Sequence, residues 1–297
     1  MTSPYITPAM LRNRPYGIAW SSLGDQGSSA DEDAVITALC WQASSEADSF
    51  CSQDLRATLN TEQEEGPDFR ITIRPNGNVR MILSRFPVLS VVSLTVQLAS
   101  DFVGSSLVPV PANQVRILSP LLGEDGTAAP GAAGAYPYAI EFAGGWVDWL
   151  AGRGGYLVTC GYINGWPHAG LTANAAAGAG VLAVDECTGM VGTSPYVGDG
   201  LLAEQVKIQS ASATTGPGTL ILAGTLANGH NAGELCTTLP AVGQEGVMNF
   251  AAGMALQRGA MSLTAQGQPS KSTNTAERMA LFKDEAELLL GTFRRVI

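Results

Sequence analysis

A chain of 297 residues can bury a substantial core and hold two domains. Only 14% of it is charged and the formal net charge is −10, which excludes the concentrated basic surface that bulk nucleic-acid binding requires. No apolar run approaches the roughly eighteen residues that span a bilayer. Five scattered cysteines (Cys40, Cys51, Cys160, Cys187, Cys236), with no CxxC and two histidines, point to buried thiols rather than a disulfide framework or zinc cluster.

Residues 1–30 read as an arm of short turns rich in Pro, Ser and Gly, with Met10-Leu11 and Ile18-Ala19-Trp20 as anchors. The next stretch predicts a long amphipathic helix over Asp31–Leu59. Ser28-Ser29 and the acids Asp31, Glu32 and Asp33 suit a helix N-terminus. Apolar residues then recur at steps of three and four through Ile36, Leu39, Ala43, Ala47, Cys51, Leu55 and Leu59. Residues 31–68 carry ten acids, among them Glu62, Glu64 and Glu65, against the single base Arg56, a balance of −9.

A hairpin follows. A three-residue loop, Pro75-Asn76-Gly77, pairs Ile73 with Val79, Ile71 with Met81 and Phe69 with Leu83, and suits a type I turn with Gly in the left-handed position. Val92, Leu94, Val96 and Leu98 alternate as the next strand, with shorter strands at Val115–Leu118 and Tyr138–Phe142. Between these two lies Gly123–Ala135, a Gly/Ala/Pro loop. A further strand covers Tyr156–Tyr162.

Residues 172–243 look like a separate unit with Lys207 as its one base. Strands at Val181–Val184, Gln205–Gln209, Thr219–Leu222 and Glu234–Thr237 suggest a small β-barrel or sandwich. Helical spacing returns from about Gln244 to Leu263. Asn274, three residues before Glu277, resembles a capping box. The helix it opens has an apolar face of Met279, Phe282, Ala286, Leu289, Leu290 and Phe293, with Arg294-Arg295 complementing the C-terminal dipole.

The expected fold class is therefore α+β. A helical scaffold (the long N-terminal helix plus two C-terminal helices) carries a β-hairpin and strand region and an inserted small all-β barrel or sandwich. The expected divisions are 1–30, 31–171, 172–243 and 244–297.

No residue set reads as catalytic. Cys160 and His168 lack an identifiable third partner, His230 and Asp199 read as loop and turn residues, and the acids at 31–33 are explained by a helix start rather than a cation. Gly144-Gly145 and Gly154-Gly155 lack phosphate-cradling spacing. Trp146 and Trp149 read as inward-packing aromatics. The expectation is of no enzyme, cofactor or metal.

The order of elements carries a resemblance. Asp31-Glu32-Asp33-Ala34 opens a helix running through Phe50. A hairpin follows, then Arg85-Phe86-Pro87-Val88-Leu89-Ser90-Val91-Val92-Ser93-Leu94. A strand ends in Cys160-Gly161-Tyr162 with Pro167 downstream, and an Ala-rich helix closes the series. This order, over about 31–100, 154–170 and 244–297, resembles the head–tail connector (adaptor) proteins of long-tailed bacteriophages. The 172–243 unit departs from that family, whose members pass almost directly from the Gly-Tyr strand into the next helix.

The resemblance implies a virion neck protein assembled in the host cytoplasm as a homo-oligomeric ring of about twelve copies. The ring would sit beneath the portal and meet a tail or head-completion (stopper) protein. DNA would pass through its bore without specific binding, and no membrane is involved. Asp31, Glu32, Asp33, Glu62, Glu64 and Glu65, repeated around such a channel, would repel phosphate within a Debye length of roughly 8 Å. The C-terminal tip, Phe293, Arg294, Arg295, Val296 and Ile297, would dock on the portal. The competing expectation is a carbohydrate-binding or host-attachment protein with 172–243 as its binding module.

Overall fold

The computed structural model describes residues 3–14, 17–20, 23, 29–66, 68–98, 107–118, 138–143, 155–200, 202–258, 261–262 and 275–295. The fold is mixed α+β, and every ladder between its described strands is antiparallel. In chain order the elements are α1 (Pro8–Asn13), β1 (Ile18–Ala19), α2 (Ser29–Cys51), β2 (Thr58–Gly66), β3 (Ile71–Ile73), β4 (Val79–Ile82), β5 (Val88–Leu98), β6 (Val108–Pro109), β7 (Val115–Leu118), β8 (Ala139–Phe142) and β9 (Tyr156–Asn164). They continue as β10 (His168–Gly170), β11 (Val181–Val184), β12 (Tyr196–Val197), β13 (Glu204–Gln205), β14 (Ile208–Ala211), β15 (Gly218–Leu222), β16 (Leu235–Thr237), α3 (Ala241–Gln257), β17 (Met261–Ser262) and α4 (Thr275–Leu290). Two compact units result, divided after Arg56 and after Gly165. The first joins Met1–Arg56 to Trp166–Arg294, and the second centres on Ala57–Gly165.

In the first unit, α2 buries Ile36, Leu39, Cys40, Ala43, Ala47 and Cys51 along the expected stripe. It stops at Cys51, however, and does not run to Leu59. Ser52 takes a left-handed φ of 56°. Its N–H bonds the Ser49 carbonyl, and the Gln53 N–H reaches back to Asp48, the paired reversed bonds of a Schellman ending. The Asp48 carboxylate fixes the exit by accepting the Leu55 N–H and the Tyr5 hydroxyl, each at 2.8 Å. Helical periodicity in Leu55 and Leu59 is therefore accidental: Leu55 is buried beyond the helix, while Leu59 is exposed on β2.

The residues read as an arm are part of this unit. Thr7 caps α1, its hydroxyl accepting the Met10 N–H, and Pro8 takes the first turn. Tyr5, Ile6 and Leu11 are fully buried. α3 ends at Gln257 rather than near Leu263, because Met261–Ser262 leaves to pair with Ile18–Ala19. α3 and α4 approach closely at Gly246, where an added Cβ would lie 2.6 Å from Leu290 Cγ. α4 buries Phe282, Ala286 and Leu290, and its proposed cap Asn274 lies outside the described residues.

The same unit contains two small sheets, in the orders β10-β16-β12-β13 and β11-β15-β14. They share a core of Leu182, Val184, Val197, Ile208, Leu220 and Cys236 among others. The strand expected at Gln205–Gln209 is two strands broken at Val206-Lys207. Glu186 organises one turn, its Oε1 accepting the N–H groups of Cys187, Thr188 and Gly216 and the Thr188 hydroxyl. Burial opposes its charge, but these bonds outweigh it and hold the carboxyl below the usual range.

The second unit is two sheets, β2-β9-β5-β6 and β3-β4-β8-β7, over one core built from Ile71, Met81, Phe142, Leu94, Val158 and Tyr162 with their neighbours. The hairpin forms as its turn chemistry dictates. Ile73 pairs with Val79 and Ile71 with Met81; Gly77 sits at φ +79° with its N–H on the Arg74 carbonyl. Phe69 does not continue the ladder and is 72% exposed, since Arg70 is the residue that bonds Ile82.

Two further differences come from the long sheet. β2 pairs with β9 over nine residues, including Glu62, Gln63, Glu64 and Glu65, and its first two residues fall in the stretch expected to end the long helix. β5 has bulges between Val88 and Ser90 and between Val91 and Ser93. Each extra residue reverses the alternation, so Val88, Leu94 and Val96 face the core while Val92 is exposed.

Candidate functional site

The residues expected to act together fall into separate settings. Phe293 is not at a protruding tip. It is 1% exposed, its ring meets Trp166 edge-on at 5.0 Å, and its carbonyl accepts the Gln53 side-chain amide at 2.7 Å. Arg294 is exposed, with its guanidinium 5.3 Å from the Phe50 ring centre. Arg295 is partly exposed, and Val296 and Ile297 lie outside the described residues.

The acidic set is largely engaged. Asp31, Glu32 and Asp33 stand in the first turns of α2, where Arg12 pairs with both Glu32 and Asp33. In the second unit Glu62 accepts the Ser84 N–H and hydroxyl and the Tyr162 hydroxyl. Glu64 holds Arg70 at 2.7 Å. Glu65 points to the opposite, exposed side of β2.

Cys160 and His168 have unrelated roles. Cys160 faces the core of the second unit, and burial pushes its thiol up to about 12, away from the thiolate a nucleophile needs. His168 belongs to the first unit, bonded through Nδ1 to the Thr237 hydroxyl and through Nε2 to the Pro4 carbonyl, each at 2.9 Å. Complete burial pushes its pKa down to about 4, so the neutral ring donates from Nε2 and accepts at Nδ1.

The described residues do converge at a place that residue spacing alone barely marks. A cavity of about 780 Å³ opens between the end of α1, the turn at Asp199-Gly200 and the first half of α3, lined by Met10, Asn13, Asp199, Gln244 and Met248. A smaller one of about 240 Å³ shares Asn13, Asp199 and Gly200 and extends to Asn231 and Glu234. Asp199 stands where the two meet. Its Oδ1 accepts the Leu235 N–H at 3.0 Å, and the Thr7 side chain also bonds to it. Burial raises this carboxyl above its ordinary value, and the bonds from Thr7 and Leu235 only partly offset that. A desolvated carboxyl lining a cleft is a common mark of a working site.

Behind the smaller cavity, His230 is locked between two acids. Nδ1 lies 2.8 Å from Glu234 and Nε2 lies 3.2 Å from Glu204, so each ring nitrogen faces a carboxyl oxygen. Glu204 also accepts the N–H groups of Ala227 and Asn228, each at 2.8 Å, and Glu234 those of Asn231. This clamp braces the turns that shape the cavity wall. The i, i+4 spacing of His230 and Glu234 and the Gly-Asp-Gly at 198–200 were the available signals; Asn13 and Gln244 had none. Comparison of the chain with protein-family models, curated proteins and solved structures finds no match.

Proposed function

We infer that this chain is a head-to-tail adaptor, a structural virion protein forming a ring of about twelve copies beneath the portal, through which DNA passes to a tail or stopper protein. In this reading α2, α3 and α4 are a helical scaffold, and residues 172–243 are a small β module inserted between β9 and α3. The observation that carries the reading is the meeting of three sequence-distant helices in one unit. Phe50 of α2 meets Phe250 of α3 edge-on at 6.3 Å, and Gly246 of α3 admits Leu290 of α4. Their order along the chain is the order of elements on which the resemblance to the adaptor family rests. The low charge density suits extensive contact between copies. Ion pairing of Glu32, Asp33 and Glu64 with Arg12 and Arg70 leaves the repelling surface resting on fewer unpaired acids than the sequence suggests. Portal docking passes from Phe293 to the residues beyond it. Negative-stain imaging of the purified chain, alone and mixed with its portal, tests the reading. Rings support it; trimeric spikes, or single copies under both conditions, contradict it.

A further inference from the structure

We propose that the cleft at Asp199 binds a saccharide chain, a function independent of the adaptor reading. Its size is within the range of small-molecule pockets, roughly 300–1,000 Å³. Three carboxamides, Asn13, Asn231 and Gln244, line its two lobes beside Arg14, Asp199 and Glu234. A carboxamide carries two donors and an acceptor, of which Asn231 and Gln244 each spend one donor on Glu234 and the Tyr5 carbonyl. That mixture matches hydroxyl groups, which also donate and accept. Asp199 adds an acceptor that burial has already stripped of part of its water, so a hydroxyl bonded there replaces hydration already lost. Met10 supplies flexible apolar surface for the C–H face of a sugar ring, above the buried Met248.

Charge argues against the other occupants. Among the described residues Arg14 is the one cationic side chain lining the larger cavity; it is already paired with Glu245, and the Asp199 carboxyl lines the same cavity and disfavours an anionic ligand. A cationic ligand would meet Asp199, but Glu234 behind it is already committed to His230 and Asn231. The smaller cavity shares Asn13, Asp199 and Gly200 with the larger, which places room for a second ring beside Asp199.

The test is titration calorimetry of the full chain with maltotetraose, cellotetraose and the N-acetylglucosamine tetramer, with spermidine as the cationic comparison. At least one saccharide should bind, and Asp199→Asn should weaken it about tenfold or more. Because Asp199 also holds the Leu235 N–H, Asn13→Ala and Gln244→Ala serve as variants that spare that bond. Each should weaken binding several-fold; the melting temperature should stay unchanged in Asn13→Ala and fall slightly in Gln244→Ala, which also loses its 3.4 Å bond to the Tyr5 carbonyl. Failure of all three saccharides to bind, binding unaltered in both amide variants, or binding of spermidine in their place would overturn the proposal.

Discussion

Replacing His230 should unfold the turns around it at a cost that can be worked from its contacts. The ring is buried and bonded to two carboxylates that are themselves 16% and 21% exposed. A hydrogen bond to a charged group contributes about 1.5–3 kcal/mol net, and partial solvation of both acids puts each bond at the lower end. Losing the ring also leaves a void beside Gly198, where an added Cβ would lie 3.0 Å from the imidazole. His230→Ala should therefore lose about 3–5 kcal/mol, a large share of the 5–15 kcal/mol that holds a typical domain together. His230→Gln, which keeps one donor, should lose about half as much. Urea unfolding followed by circular dichroism gives the totals, and a double-mutant cycle with Glu204→Gln isolates the pair. Hydrogen exchange should quicken first at Ala175 and His230, whose backbones bond each other at 2.8 Å in both directions. A loss below about 1 kcal/mol in His230→Ala, well under the range for a buried pair, would refute the clamp.

Gly246→Val should destabilise the first unit by about 2–4 kcal/mol, since the new side chain must displace the fully buried Leu290; an unchanged urea midpoint would show that α4 can shift away. His168 binds its proton less readily folded, at about 4, than in the unfolded chain, at about 6.5. Its contribution is complete above pH 6.5 and about 3 kcal/mol is lost as the pH falls toward 4. Asp48, which burial raises to about 6, acts in the opposite direction over part of that range. The measurement is therefore the difference between the chain and His168→Gln, and parallel stability profiles would contradict the assignment. Phe293→Ala should cost about 3–5 kcal/mol as a core truncation. Removing Arg294–Ile297 should instead cost no more than about 1 kcal/mol, for the lost Arg294–Phe50 contact, and yield DNA-filled heads without tails; normal necks in that deletion would remove the docking role.

What could be read from the sequence followed local chemistry. Pro75-Asn76-Gly77 specified its loop and register because only one pairing kept Ile71, Ile73, Val79 and Met81 in phase with a left-handed glycine. Val181–Val184 was legible as a short apolar run opening after Gly180. Long-range partners were not legible. β2 is built largely from Glu, Gln, Asn and Thr, and Glu, Asn and Gly are residues that strands disfavour. Its conformation is fixed by the nine-residue ladder to β9. The end of α2 carries no Gly or Pro; Ser52 adopts the left-handed turn while Asp48 catches the departing chain. Phe293 looked like the last apolar residue before a free terminus because its partner Trp166 lies more than a hundred residues away. The Asp199 cleft draws Asn13, Asp199 and Gln244 from three distant segments, which no spacing rule could have joined.

The most direct test of the adaptor reading is the mass of the assembled particle in solution. Each chain is 30.8 kDa, so a twelve-copy ring would weigh about 370 kDa. Mass photometry of the purified chain mixed with portal should show portal particles heavier by about that amount, with Arg294–Ile297 required for the gain. Portal particles of unchanged mass at saturating chain concentration would contradict it.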